Sequence, residues 1–323
     1  MNTKRVLLFA SLIAFIISAV LFMFSRVDEK VKNKQPVVMV STFALYETAC
    51  AVAGNALEVK SIIPLGSDTH MFTPNPTQVA DISKSALFVY NGAGFETWAQ
   101  SLTTALGKTT QVIDMSQHVV LQKSDEHKED HDEHGHKADH NDEHHDHGTY
   151  DPHYWLDIDN MIKMTQTLDT EFSKLSPPQA KIFHKNARAY IAQLQKLKSE
   201  YTAGLAECKN RTLVTNHDAF GYLAHANKLE NISVIGLSSD EQPSAKNIAE
   251  IISAVKEHGV KTIFFEELIN DNVSQTIAKE TGAIAVPLQP LENISEDELK
   301  SHQTYLSIMR ENLAKLRESM ECR

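Results

Sequence analysis

Three histidines stand where runs of strand-like residues end, and imidazole at such a place is either a metal ligand or an acid–base group. His70 lies in Gly66-Ser-Asp-Thr-His70-Met-Phe-Thr-Pro74-Asn-Pro76, where two prolines fix the backbone just beyond it. His153 lies in Asp151-Pro152-His153-Tyr154-Trp155-Leu156, with proline before it and a bulky aromatic pair after it. His217 lies in Thr215-Asn216-His217-Asp218-Ala219-Phe220, directly after a strand read over Arg211–Thr215. The separations, 83 and 64 residues, match no local zinc template. Taken singly, each reads better as a hydrogen-bonded loop residue than as a ligand. Only a fold that gathers strand ends makes them one site.

A second concentration of ligand chemistry is local. Between Asp125 and His147 there are ten acidic residues against Lys128 and Lys137, a net −8, together with eight of the sixteen histidines. The whole chain carries −11, so the remainder carries only −3. Imidazole and carboxylate mixed this densely read as a weak, multi-site metal sponge rather than a solvated charge run. The acidic balance argues against the phosphate-neutralising surface that nucleic acid requires, so a cation is the expected partner and nucleic acid is not.

The elements that must position these residues alternate. In the first half, strands over Pro36–Ser41, Leu57–Ile63, Leu87–Tyr90 and Gln111–Met115 are separated by helical patterns over Phe43–Asn55, Gln78–Ser85 and Phe95–Leu106. The second half repeats the rhythm, with strands over Arg211–Thr215, Ile232–Ile235, Lys261–Phe265 and Ile284–Pro287 and helices over Ala219–Asn227, Ala245–His258 and Val273–Thr281. Such alternation implies parallel α/β sheets, and ligands of these sheets bind at the carboxyl ends of the strands. Between the halves a stripe of Phe183, Ala187, Tyr190, Leu194, Leu197, Tyr201 and Leu205 predicts one long helix after Pro177 and Pro178. A final helix is expected to carry Leu299, His302, Leu306, Met309, Leu313, Leu316 and Met320 on one face, with His302 a core or edge residue. The expected organisation is an N-terminal segment 1–35, an α/β lobe 36–176, a linker helix 177–206 and a second α/β lobe 207–323. Residues 116–148, which lack apolar periodicity, form a disordered loop within the first lobe in this reading.

Lys4 and Arg5 precede an apolar run from Val6 to Phe24, the pattern of an export signal, whose 19 residues are also close to the roughly 20 that span a bilayer. An extracytoplasmic location is expected, with the run either cleaved or retained as an inner-membrane anchor. The first cysteine is Cys50, so no lipid-acceptor cysteine follows the run. Three cysteines in an exported chain allow one disulfide; Cys50 reads as a buried small residue in a helix, and a Cys208–Cys322 bridge is possible. His118, His184, His225 and His258 read as surface residues.

The blocks GSDTHMFTPNP, DPHYWLD, TNHDAFGYLA and PLQPLENISEDELKSHQTYLSIMRENLAKL, in this order, resemble the zinc-binding solute-binding proteins of bacterial ABC importers, the ZnuA-like or AdcA-like group, over about residues 36–320. The resemblance implies two α/β lobes bridged by one long rigid helix, with a metal in the cleft between them. It implies His70 and His153 as ligands from the first lobe and His217 from the second. The fourth ligand it implies is Glu292 of the Pro-Leu-Glu block, with Glu266 or Glu267 after the Lys261–Phe265 strand as the alternative and Glu266 as a possible partner behind the ligands. Three imidazoles and a carboxylate suit tetrahedral Zn²⁺ and disfavour calcium and magnesium, which want oxygen. Manganese is the harder exclusion, and His217 in place of an acid tilts the choice to zinc. The implied function is a monomeric carrier, not an enzyme, that captures Zn²⁺ as transported ligand and delivers it to a membrane permease. Its affinity is expected to weaken as pH falls through about 6.5. The rivals are a manganese carrier, a zinc buffer relying on the histidine-rich segment, and a zinc hydrolase. The hydrolase requires an open water position, and no nucleophile elbow, Walker loop or HExxH helix occurs.

Overall fold

Every strand among the described residues is four residues long. In the computed structural model, which describes residues 35–106, 110–124, 150–237, 243–266 and 272–323, the first half runs β1 (Val37–Val40), α1 (Phe43–Ala53), β2 (Glu58–Ser61), α2 (Pro76–Lys84), β3 (Leu87–Tyr90), α3 (Ala99–Leu106) and β4 (Gln111–Asp114). Two helices follow, α4 (Ile158–Leu175) and α5 (Ala180–Gly204). The second half runs β5 (Thr212–Thr215), α6 (Gly221–Ala226), β6 (Glu230–Ser233), α7 (Ala245–Glu257), β7 (Thr262–Phe265), α8 (Asn272–Thr281), β8 (Ile284–Pro287), α9 (Glu296–Lys300) and α10 (Tyr305–Ser319). The strands pair in parallel in the orders β2-β1-β3-β4 and β6-β5-β7-β8, so the two lobes share one topology. In each order the direction of winding reverses between the first and third strand of the lobe, and the crevice beyond their carboxyl ends is the natural ligand position.

Helix α5, 25 residues and about 37 Å long, runs from one lobe to the other. It buries Phe183, Ala187, Tyr190, Leu194, Leu197 and Tyr201 against α1, α4 and α10. A continuous apolar cluster therefore includes Val40, Leu45 and Leu168 of the first half and Leu213, Tyr305 and Leu316 of the second. Smaller clusters cover the outer face of each sheet, around Ile82, Phe88 and Leu102 in one and Ile251, Ile263 and Ile277 in the other. Cys208, before β5, is bridged to Cys322, just past α10.

Several expectations need correcting. Helix α2 begins at Pro76 rather than Gln78, because proline is accommodated at the first helical position and Asn75 with Gln78 forms a reciprocal cap. Helix α3 begins at Ala99, four residues late, and β6 starts at Glu230, two residues early. Helix α4 has no counterpart among the expected elements. The final helix is two, since Ser295 and Thr304 each cap a separate start and His302 between them takes a left-handed conformation (φ 59°). His302 is exposed, not a core or edge residue. Cys50 is half-buried rather than buried. Residues 116–124 are ordered: Met115–His118 form a 3₁₀ turn, Asn160 pairs with both backbone groups of Val120, and Lys123 bridges Tyr150. The acid and histidine cluster 125–147, the apolar run Val6–Phe24 and Glu267 lie outside the described residues. Among those described, no helix is long and apolar enough to cross a membrane. His118, His184, His225 and His258 are exposed, as read.

Candidate metal centre

Each of the four implied residues is delivered beyond the carboxyl end of a sheet. His70 lies on the loop from β2 to α2. His217 follows β5 by two residues, and Glu292 follows β8 by five. His153 precedes the 3₁₀ turn Tyr154–Leu156 that leads into α4. One ligand atom from each of the four lies within 4.8 Å of the other three. The Nε2 atoms of His70, His153 and His217 face Glu292 Oε1 at 3.4, 3.1 and 3.5 Å. His153 and His217 have no solvent-exposed side-chain surface, while His70 and Glu292 keep 9% and 7%, so access is from the His70–Glu292 side. Phe95 stands edge-on to the His70 ring and to Trp155, closing one wall with carbon.

The imidazoles are oriented from behind. Asp151 Oδ1 accepts from the His153 backbone amide at 2.9 Å and lies 2.8 Å from Nδ1, so the Nε2 lone pair is left facing the cleft. Glu266, the first residue after β7, forms an ion pair with His217 Nδ1. Glu292 is aimed by the left-handed backbone of Leu291 (φ 62°), a conformation that costs a non-glycine residue about 1–2 kcal/mol. The buried Nε2 atoms of His153 and His217 make no hydrogen bond of acceptable geometry among the described residues. Buried polar atoms are rarely left so, and two of them aimed at one carboxylate oxygen mark a place for a cation.

The segment bearing His153 is also built from long-range contacts. Asn91, after β3, donates from Nδ2 to the Pro152 carbonyl at 3.0 Å, and the Tyr154 hydroxyl donates to the Asn91 carbonyl at 2.8 Å. The turn that places Asn91 needs glycine at 92, where φ is +78° and a Cβ would fall 1.9 Å from Asp114 Oδ1. Buried Glu96 accepts from the amides of Asn91 and Gly92 at 2.9 and 3.0 Å. From the second half, Tyr222 donates to the Asp151 carbonyl at 2.9 Å, and Tyr305 donates to the Trp155 carbonyl at 2.7 Å.

Burial alone would depress the pKa of His153, but Asp151 and Glu292 outweigh it and hold the imidazole up to about 9. Burial is likewise outweighed at His217, which Glu266 and Glu292 hold well above the ordinary range. The facing imidazoles, His70 first, hold Glu292 well below the usual carboxylate range despite its burial. The expected midpoint near 6.5 therefore moves upward. Asp151 and Thr69, which is hydrogen-bonded to Glu292, were not singled out in the sequence; Asp151 was exposed to notice by standing two residues before His153.

The family model described as ZnuA, zinc-uptake complex component A periplasmic, matches residues 38–319. The zinc-binding protein AdcA of Streptococcus pyogenes is 35% identical over 317 residues, covering 97% of this chain and 61% of that protein. The high-affinity zinc uptake system protein ZnuA of Bacillus subtilis is 34% identical over 284 residues, covering 88% of this chain and 87% of that one. The crystal structure of the Zn(II)-bound ZnuA-like domain of Streptococcus pneumoniae AdcA superposes with a TM-score of 0.74 at 30% identity, over 89% of this chain and all of that one.

Proposed function

The chain belongs to the ZnuA family of periplasmic zinc-uptake components, and from that membership and the buried cleft we propose that it is an extracytoplasmic protein that captures Zn²⁺ and hands it to a membrane permease of the ABC type. His70 and His153 from one lobe and His217 and Glu292 from the other are the ligands. Three imidazole nitrogens and one carboxylate oxygen complete a tetrahedral shell with no position left for an activated water, which favours a carrier over a hydrolase. The observation that carries the reading is the convergence of the fully buried Nε2 atoms of His153 and His217, with that of His70, on Glu292 Oε1. The segment 125–147 is proposed as a weak collector of further ions. The chain spans 61% of the length of the AdcA relative, so uptake by the whole system and the choice of permease are part of the proposal.

Zinc titration against a competing chelator tests it. One tight site should remain when residues 125–147 are deleted, with only weak equivalents lost. His153→Ala should weaken the tight site more than about 100-fold, beyond what loss of an outer partner does. Tight binding that survives His153→Ala, or that disappears with the segment, would overturn the cleft assignment.

A further inference from the structure

The two oxygens of Glu292 are not equivalent. Oε1 faces all three imidazoles, whereas Oε2 accepts a hydrogen bond from the Thr69 hydroxyl at 2.6 Å. His70 Nε2 lies about as near to Oε2, at 3.3 Å, as to Oε1, at 3.4 Å. Thr69 is buried, and its single hydroxyl proton is committed to this bond. The bond joins the two halves of the chain, 223 residues apart.

The loop that carries Thr69 has little freedom to withdraw. Asn293, the neighbour of Glu292, donates from Nδ2 to the carbonyls of Pro64 and Ser67 at 2.7 and 2.9 Å. The Gly66 amide donates to the Ile294 carbonyl, and the Phe43 amide to the carbonyl of Glu292 itself, each at 2.9 Å. Hydroxyl and carboxylate are thus held against each other by bonds on both sides of the contact.

This fixes how many metal bonds the carboxylate makes. A bidentate glutamate would bring both oxygens onto the ion, and Oε2 would then share its electron density between the ion and a short, charge-assisted hydrogen bond, which weakens it as a second donor. With Oε2 drawn on by Thr69, Oε1 is the stronger donor, and the favoured set is three nitrogens and one oxygen. Four ligands complete a zinc shell, while manganese seeks about six, mostly oxygen. We propose that Thr69 is a specificity-determining residue: its hydroxyl keeps Glu292 monodentate and so holds the pocket to four-coordinate zinc at the expense of manganese. This rests on the reading of the four residues as ligands.

The test uses Thr69→Val, which keeps the shape and removes the donor, Thr69→Ala as a second donor-free variant, and Thr69→Ser, which restores the hydroxyl. Zn(II) and Mn(II) dissociation constants are measured on the full chain by chelator competition, and Co(II) is bound separately to read coordination number from the intensity of its d–d bands. In both donor-free variants the preference for zinc over manganese should fall by about tenfold or more, the scale of one hydrogen bond to a charged group. The Co(II) bands should weaken as a fifth bond forms, and Thr69→Ser should restore both readouts. If either donor-free variant binds zinc with unchanged preference and an unchanged Co(II) spectrum, the proposal is overturned. If the unaltered chain binds no zinc tightly, or if His153→Ala is without effect, the ligand assignment has failed, and Thr69 with it.

Discussion

Lowering the pH from 9 to 6.5 should weaken zinc binding more steeply than ordinary histidines allow. His153 is held at about 9 by Asp151 and Glu292, against the pull of its own burial. His217 is held well above its ordinary value by Glu266 and Glu292, also against its burial. Each imidazole must shed a proton before Nε2 can bind metal, so each costs about tenfold in affinity per pH unit while it is charged. For His153 alone the penalty at pH 7 is about 100-fold, and with His217 the slope approaches two decades per unit. Zinc binding at pH 7 should therefore release about two protons, where three imidazoles titrating near 6.5 would release about 0.7 in total. Calorimetry in buffers of different ionisation enthalpy counts these protons, and chelator competition from pH 6.5 to 9 gives the slope. The same groups act on the metal-free fold. Because the folded value of His153 is raised, its charged form stabilises the metal-free protein by about 3 kcal/mol, fully present below pH 6.5 and lost as pH rises through about 9. Zinc-bound protein should show the opposite trend. Release of fewer than one proton at pH 7 would refute the reasoning, since Asp151 and Glu266 would then not be charging the imidazoles they touch.

Two further outcomes follow from the scaffold. The Cys208–Cys322 bridge spans 114 residues, so Cys322→Ser should lower stability by about 4–5 kcal/mol in denaturant titrations on the chain-entropy account. Zinc affinity should hold, because Cys208 precedes β5 while His217 follows it. Tyr222→Phe removes a hydroxyl that accepts from the Gln122 amide at 2.8 Å and donates to the Asp151 carbonyl at 2.9 Å. It should cost about 1–3 kcal/mol and speed zinc dissociation in stopped-flow chelation, because Asp151 is the residue that orients His153.

Much of this layout was written locally. The strands β3 and β8 have the bounds their apolar runs suggest, β3 stopping before Asn91-Gly92 and β8 at its own Pro287. Helix α4 was equally legible, since Ile158, Met161, Thr165, Leu168 and Phe172 repeat at steps of three and four behind an Asp157 cap, yet it went unread beside the more conspicuous His153 motif. The broken C-terminal helix shows the converse: apolar spacing continued through Ser301–Thr304, while the Ser295–Glu298 capping box already announced a short helix of its own. What spacing could not supply was the company each ligand keeps. Glu266 stands 49 residues from His217 and meets it because β5 and β7 lie side by side, whereas Thr69 stands 223 from Glu292 and meets it only where the two lobes face each other.

That company also explains how a cleft between two lobes can bind tightly. The segments that carry the proposed ligands are joined across the lobes by bonds that involve none of the proposed ligand atoms. Trp155 Nε1 donates to the Pro290 carbonyl at 2.7 Å, the Tyr305 hydroxyl to the Trp155 carbonyl at 2.7 Å, and the Phe43 amide to the Glu292 carbonyl at 2.9 Å. An ion entering such a place finds three of its four partners already fixed, so little of its binding energy is spent on ordering them. The exception is His70, whose ring nitrogens have no partner comparable to Asp151 or Glu266 among the hydrogen bonds and ion pairs described, and whose side chain reaches solvent. Exchange should therefore run through His70. Its substitution by alanine should raise the zinc off-rate more than it slows the on-rate, and the reverse result would place the entrance elsewhere.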